Sequence, residues 1–184
     1  FDTREKNRLW MVDTDERLRL INSETGETIA RSDESVGPVN AICSTRSGLM
    51  TAGTELQTWD VSGESIQLVR EFETPESELL SLAVTPNGKQ IASVDADAKL
   101  VFWDMKDERR DTSIQLPAGS RPSTGAVAFS RSGWQLAAFG AGHDCSVFQR
   151  RAKTGQWERL VEQPWVAGTG GTTLIWNPDR TGQL

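Results

Sequence analysis

Apolar and polar positions alternate along this chain in short runs, and turn residues interrupt the runs at close intervals. The stretch from Ile91 to Asp104 shows the pattern best, with IASV and AKLVFW flanking an Asp-rich turn and a Trp103-Asp104 ending, just downstream of SLAVTPNG at Ser81 to Gly88. Such alternation around turn chemistry predicts adjacent antiparallel strands. The same reading predicts strands at Arg8 to Val12 and Leu18 to Ile21 around the turn Asp13-Thr14-Asp15-Glu16, and an outer strand ending near Ala30. Further strands are expected near Asn40 to Ser44, Leu49 to Ala52, Leu56 to Trp59 and Ile66 to Phe72.

The pattern recurs. Gly48, Gly88 and Gly133 close AICSTRSG, SLAVTPNG and AVAFSRSG and fall 40 and 45 residues apart. Trp59-Asp60, Trp103-Asp104 and Phe148-Gln149 fall 44 and 45 residues apart. A shared period of that size marks a four-stranded propeller blade. The expected units are 8–30, 39–72, 79–116, 125–161 and 165–184, the first and last incomplete because each lacks an innermost strand. An open array of this kind would leave long sheet edges, which propellers avoid by closing a ring. The expectation is therefore one all-β propeller of four-stranded antiparallel blades, here about four to five of a larger ring. The other readings are segments missing around Gln163-Pro164, or two copies completing one ring. The start FDTREKNR, without Met and close to a strand, does not read as a natural amino terminus.

On these residues the chain resembles the WD-repeat family, in degenerate form. The resemblance rests on the small-apolar strand ending in a polar turn with Gly48, Gly88 or Gly133, and on Trp59-Asp60 and Trp103-Asp104. It implies a structural blade network: Asp97 and Asp15 as turn aspartates, Ser93 and Trp103 as hydrogen-bonded partners, and Trp59 in the equivalent place. The family's Gly-His pair is absent from every repeat. The resemblance also implies that connections between second and third strands share one face with the connections between blades. Function is not carried by the fold, which hosts many unrelated activities.

A chain of 184 residues, 36% hydrophobic, has enough apolar material for one substantial core. Its net charge of −6 argues against direct contact with nucleic acid. Cys43 and Cys145 lie in strands of different repeats without metal-ligand spacing, and read as reduced thiols of a cytoplasmic or nuclear protein. No apolar run is long enough to span a membrane. No cofactor, metal or catalytic residue is expected.

Sorted by face, the turns are lopsided. One face collects carboxylates, from which Glu55, Glu76, Glu78 and Asp95 stand out as having no structural duty, and a Lys/Arg-rich segment of another protein is the expected partner. The expected function is a non-catalytic scaffold holding protein subunits of an intracellular multiprotein complex. A second reading has Arg109-Arg110 and Arg150-Arg151 bind the phosphate of phosphoinositide or nucleic acid, although ERRD and QRRA lack the flanking residues of the known double-arginine lipid motif. A propeller hydrolase is the third, and it lacks the acids or histidines such enzymes gather on innermost strands. His143, the single histidine, sits beside Asp144 in GAGHD without a nucleophile motif and reads as a turn residue. Gly168 to Gly171 is not a phosphate loop, since no Lys-Ser/Thr follows. Trp10, Trp134, Trp157 and Trp165 are either core or interface.

Overall fold

The computed structural model describes residues 6–45, 48–74, 77–106, 109–117, 125–140 and 145–163, with Leu174 and Trp176; the side chains of 109–110 and 161–163 are excepted. All regular structure among them is strand. The chain divides into two compact units, Phe1–Leu79 and Leu80–Leu184.

The first unit contains β1 (Arg8–Val12), β2 (Leu18–Asn22), β3 (Thr28–Ser32), β4 (Val39–Thr45), β5 (Gly48–Gly53), β6 (Leu56–Ser62) and β7 (Ser65–Phe72). They form one sheet in the order β1-β2-β3-β7-β6-β5-β4. Within it β1–β3 and β4–β7 are antiparallel runs, and a two-residue parallel bridge, Arg31 with Ser65 and Ser32 with Ile66, joins them. Trp10, Leu18, Leu20, Ala30, Leu49, Trp59 and Ile66 supply its core, with Val36 from the β3–β4 connection.

The second unit holds two four-stranded sheets. One is β8 (Leu79–Val84), β9 (Gln90–Asp95), β10 (Lys99–Asp104) and β11 (Arg109–Gln115). The other is β12 (Ala126–Phe129), β13 (Gln135–Phe139), β14 (Cys145–Arg150) and β15 (Trp157–Gln163). Every residue of β9 is buried, as is every residue of β5 in the first unit, so both strands are covered on both faces. That accords with the mixture of Ala, Ser and Thr with Leu, Met, Ile and Val there: small side chains let neighbouring layers approach. Phe102 of β10 stacks on Trp157 of β15, centroids 5.0 Å apart, inside a core shared by the two sheets.

Two features repeat at equivalent positions. Gly88 and Gly133 both have φ of 72° and donate to the carbonyls of Thr85 and Ser130, so each closes the turn before the second strand in a conformation glycine adopts without penalty. Gly48, aligned with them in sequence, serves differently: a Cβ there would stand 2.0 Å from the Trp59 carbonyl oxygen. The second feature is a register shift between third and fourth strands, at Thr58/Trp59, Phe102/Trp103 and Val147/Phe148, and at Leu20/Ile21 between β2 and β3. Each falls on the position that begins the Trp-Asp dipeptide or its substitute. A bulge there adds local twist.

The charged run from Met105 to Thr112 is not all connection between β10 and β11. Arg109 and Arg110 pair with Asp104 and Trp103, so β11 begins inside the charged stretch, where ladder hydrogen bonds outweigh its polarity. The expected final unit, 165–184, lies outside the described residues apart from Leu174 and Trp176; the Trp176 indole donates to the Ala128 carbonyl of β12 at 2.8 Å.

Candidate functional site

The turns between second and third strands carry Asp15, Glu55, Asp95 and Asp97. In the β9–β10 turn, Asp95 Oδ1 accepts the backbone N–H of Asp97 at 3.0 Å and of Lys99 at 2.8 Å, and Ala98 closes the turn with φ of 58°. In the β1–β2 turn, Asp13 Oδ1 accepts the N–H of Asp15 at 3.0 Å and of Arg17 at 2.9 Å, and Glu16 has φ of 57°. The turn-holding carboxylate is thus the first of each Asp-x-Asp pair. The role expected of Asp97 and Asp15 belongs to Asp95 and Asp13, while Asp97 and Asp15 are exposed and donate their backbone N–H groups. This also corrects the docking set, because Asp95 is 1% exposed and cannot meet a partner. Its burial pushes its pKa up, against the pull of the two N–H donors.

The blade network is made of paired side chains on second and third strands. The Trp103 indole N–H donates to Ser93 Oγ at 3.0 Å, and the Trp59 indole to Thr51 Oγ1 at 2.9 Å, all four groups buried. In β13 and β14 the equivalent positions are Ala138 and Phe148, both fully buried. The hydroxyl and the indole N–H have been lost together, so neither is left without its partner.

In the first unit the connections meet at one end of the sheet. The Val36 N–H donates to the Glu16 carbonyl at 2.8 Å, the Ser35 hydroxyl to the Glu16 carboxylate at 3.1 Å, and the Thr74 hydroxyl to the Thr54 carbonyl at 3.3 Å. Glu55 and Glu78 are exposed in this region. The Gln57 amide donates to Glu55 at 2.6 Å and to Glu71 at 3.2 Å, and the Asn40 amide donates to Glu78 at 2.9 Å. Each of these carboxylates is held by a neutral amide. Glu76 lies outside the described residues. Glu71, on β7, was beyond a tally of loop residues, although its cross-strand pairing with Gln57 brings it here. Arg19 and Arg31 were beyond it for the same reason: Arg19 Nε meets Asp13 Oδ2 at 2.6 Å, and Arg31 reaches Asp13 and Asp15 at 3.3 and 3.4 Å. The Arg17 backbone N–H and then the Arg19 side chain are the main forces that hold Asp13 down, to a pKa of about 2.

Of the arginine pairs, the side chains of Arg109 and Arg110 lie outside the described residues. Arg150 donates to the Gly155 carbonyl at 3.1 Å and Arg151 pairs with Glu158. His143 and Asp144 lie outside the described residues. No group of three potential metal ligands occurs among the described residues. Cys43 and Cys145 are half-buried free thiols, and desolvation raises the pKa of Cys145. Trp10 and Trp157 belong to the core, Trp134 is exposed, and Trp165 lies outside the described residues. Among the described residues no helix is long and apolar enough to cross a membrane.

No family model matches the chain. Over 110 residues it is 29% identical to the periodic tryptophan protein 2 homolog of the fission yeast Schizosaccharomyces pombe, a WD-repeat protein; the match covers 58% of this chain and 11% of that protein. Antiparallel sheets, their repeated glycine turns and bulges, and the buried Trp to Ser/Thr bonds make an all-β array that fits an incomplete propeller and is consistent with the WD-repeat architecture.

Proposed function

We propose that the chain is a non-catalytic scaffold segment of an intracellular multiprotein complex, cytoplasmic or nuclear, and that the connection end of its first unit docks a Lys/Arg-rich segment of a partner. The observation that carries this reading is the convergence of Glu55 and Glu71 on one amide, with Glu78 held by another, all exposed and opposed by neutral donors. Two carboxylates that share a neutral donor repel each other, and a cation entering between them relieves that repulsion. Such complementarity speeds encounter and fixes orientation more than it adds affinity. Asp13 and Asp15 are excluded from the surface, since Arg19 and Arg31 already satisfy them.

The test is affinity purification of the full-length parent protein at low salt, comparing wild type with the triple variant Glu55→Lys, Glu71→Lys, Glu78→Lys. A discrete set of copurifying proteins, some lost on reversal and on raising salt, is expected. Partners that all survive reversal would sink the acidic surface while leaving the scaffold. A protein that copurifies with nothing would sink both.

A further inference from the structure

The second unit carries a concavity of about 460 Å³ that the acidic surface does not involve. It lies between the β12–β13 turn and the β14–β15 hairpin. Trp134 and Leu160 form its apolar wall and are 47% and 49% exposed, the largest apolar side chains in their neighbourhood left to solvent. Gln149, Arg150, Arg151, Ala152 and Glu158 form the rest. The Arg150 backbone N–H donates to the Trp134 carbonyl at 2.9 Å, which joins the two segments that line the concavity, and Arg150 Nε donates to the Gly155 carbonyl at 3.1 Å. The Gly155 and Arg151 N–H groups close the hairpin on the Arg151 and Gln156 carbonyls, both at 2.8 Å.

Two guanidinium groups against one carboxylate leave a local positive balance in a chain whose net charge is −6. Because Glu158 already takes Arg151, the balance amounts to one charge. We propose that this concavity docks an extended acidic peptide of a partner protein, placing one bulky apolar side chain against Trp134 and Leu160 and the neighbouring Asp or Glu against Arg150. Exposed Trp and Arg are the residue types that most often anchor such contacts. Glu158 decides between a peptide and a nucleic acid. A phosphodiester strand would set a run of negative charge against this carboxylate, whereas a peptide backbone offers it an N–H donor.

Selection of a phage-displayed library of short random peptides against the intact protein tests this. The expected peptides carry Asp or Glu next to Leu, Phe or Trp. The same peptides, synthesised with a fluorescent label, should bind Trp134→Ala and Arg150→Gln roughly tenfold or more weakly. They should bind Leu68→Ala, altered at an exposed site in the first unit, unchanged. Should Arg150→Gln unfold through loss of its Gly155 bond, Trp134→Ala decides alone, since its side chain is half exposed. No enrichment, enriched peptides indifferent to Trp134→Ala, or tighter Trp134-dependent binding of oligouridylate or inorganic phosphate would each overturn the proposal.

Discussion

The turns at Asp13 and Asp95 share one backbone and differ in everything around it. Both aspartates accept the N–H groups two and four residues on, and both turns close on a residue with φ of 57° or 58°. Asp13 Oδ2, however, faces Arg19 and Arg31, while at the corresponding places beside Asp95 stand Val101 and Ser113, and Asp95 Oδ2 is buried with no hydrogen-bond partner among the described residues. Two residues before the aspartate and eight after it stand Ser93 and Trp103 in one blade, Met11 and Ile21 in the other. Turn geometry therefore belongs to the repeat, and the use made of the second carboxylate oxygen belongs to the blade. One turn is stitched to its strands by ion pairs, and the other relies on burial and on a side-chain hydrogen bond nearby.

The harshest way to break the comparison is to remove each carboxylate. Asp95→Ala should destabilise the protein by about 2 kcal/mol or more, because it strips the N–H groups of Asp97 and Lys99 of their acceptor at a buried strand end. Asp13→Ala should cost less, because water reaches the corresponding donors. Urea denaturation of both variants checks the ranking; equal losses would show that burial does not separate the turns.

The next effect in size concerns Ser93. Ser93→Ala leaves the Trp103 indole N–H buried without its acceptor and should cost about 1–2 kcal/mol. Adding Trp103→Phe should cost less than the two single changes summed, since the double variant reproduces the Ala138 and Phe148 pair found in β13 and β14. A strictly additive double-mutant cycle would mean the bond contributes nothing.

How much of this was legible in the sequence can be judged residue by residue. The strand pairs follow from alternation and from the repeat, which fix spacing along the chain, whereas the Ser93 to Trp103 partnership is what the family resemblance implies. Which aspartate of Asp95-Ala96-Asp97 holds the turn did not emerge, because the repeat places both in the same turn. A signal was available: an Asp side chain that caps a turn bonds the backbone two residues on, which favours the first of an Asp-x-Asp pair at a strand end. Arg19, Arg31 and Glu71 escaped for another reason. They lie in strands, and their partners are set by cross-strand register, to which a sorting of loop residues is blind.

A smaller effect sharpens the contrast through pH. The pKa of Asp95 is raised above 3.8 by burial, so the folded state binds its proton more readily than the unfolded chain. Acidifying from neutral through the raised value toward 3.8 should therefore add stability to wild type relative to Asp95→Asn, which keeps the Oδ1 acceptor and cannot ionise. Asp13 has the opposite sign. With its pKa at about 2, it contributes stability that is present above 3.8 and lost as pH falls from 3.8 toward 2, and Asp13→Asn should lack that dependence. Urea midpoints measured across both windows should show the differences with opposite slopes, and slopes of the same sign would contradict the assignment.

The smallest expected change isolates the ion pair itself. Arg19→Gln removes the 2.6 Å contact to Asp13 Oδ2 but leaves the N–H groups of Arg17 and Asp15 on Oδ1, and Arg31 remains within 3.3 Å. The Asp13 pKa should then rise only part of the way from about 2 toward 3.8, because its largest cause, the Arg17 backbone bond, is untouched. The urea midpoint at neutral pH should barely move, as expected for an ion pair that solvent can reach. A carboxyl carbon NMR titration of Asp13 reads this directly. A full return to the ordinary value would place the control of this turn in the arginine, whereas a partial return leaves it with the backbone that both turns share.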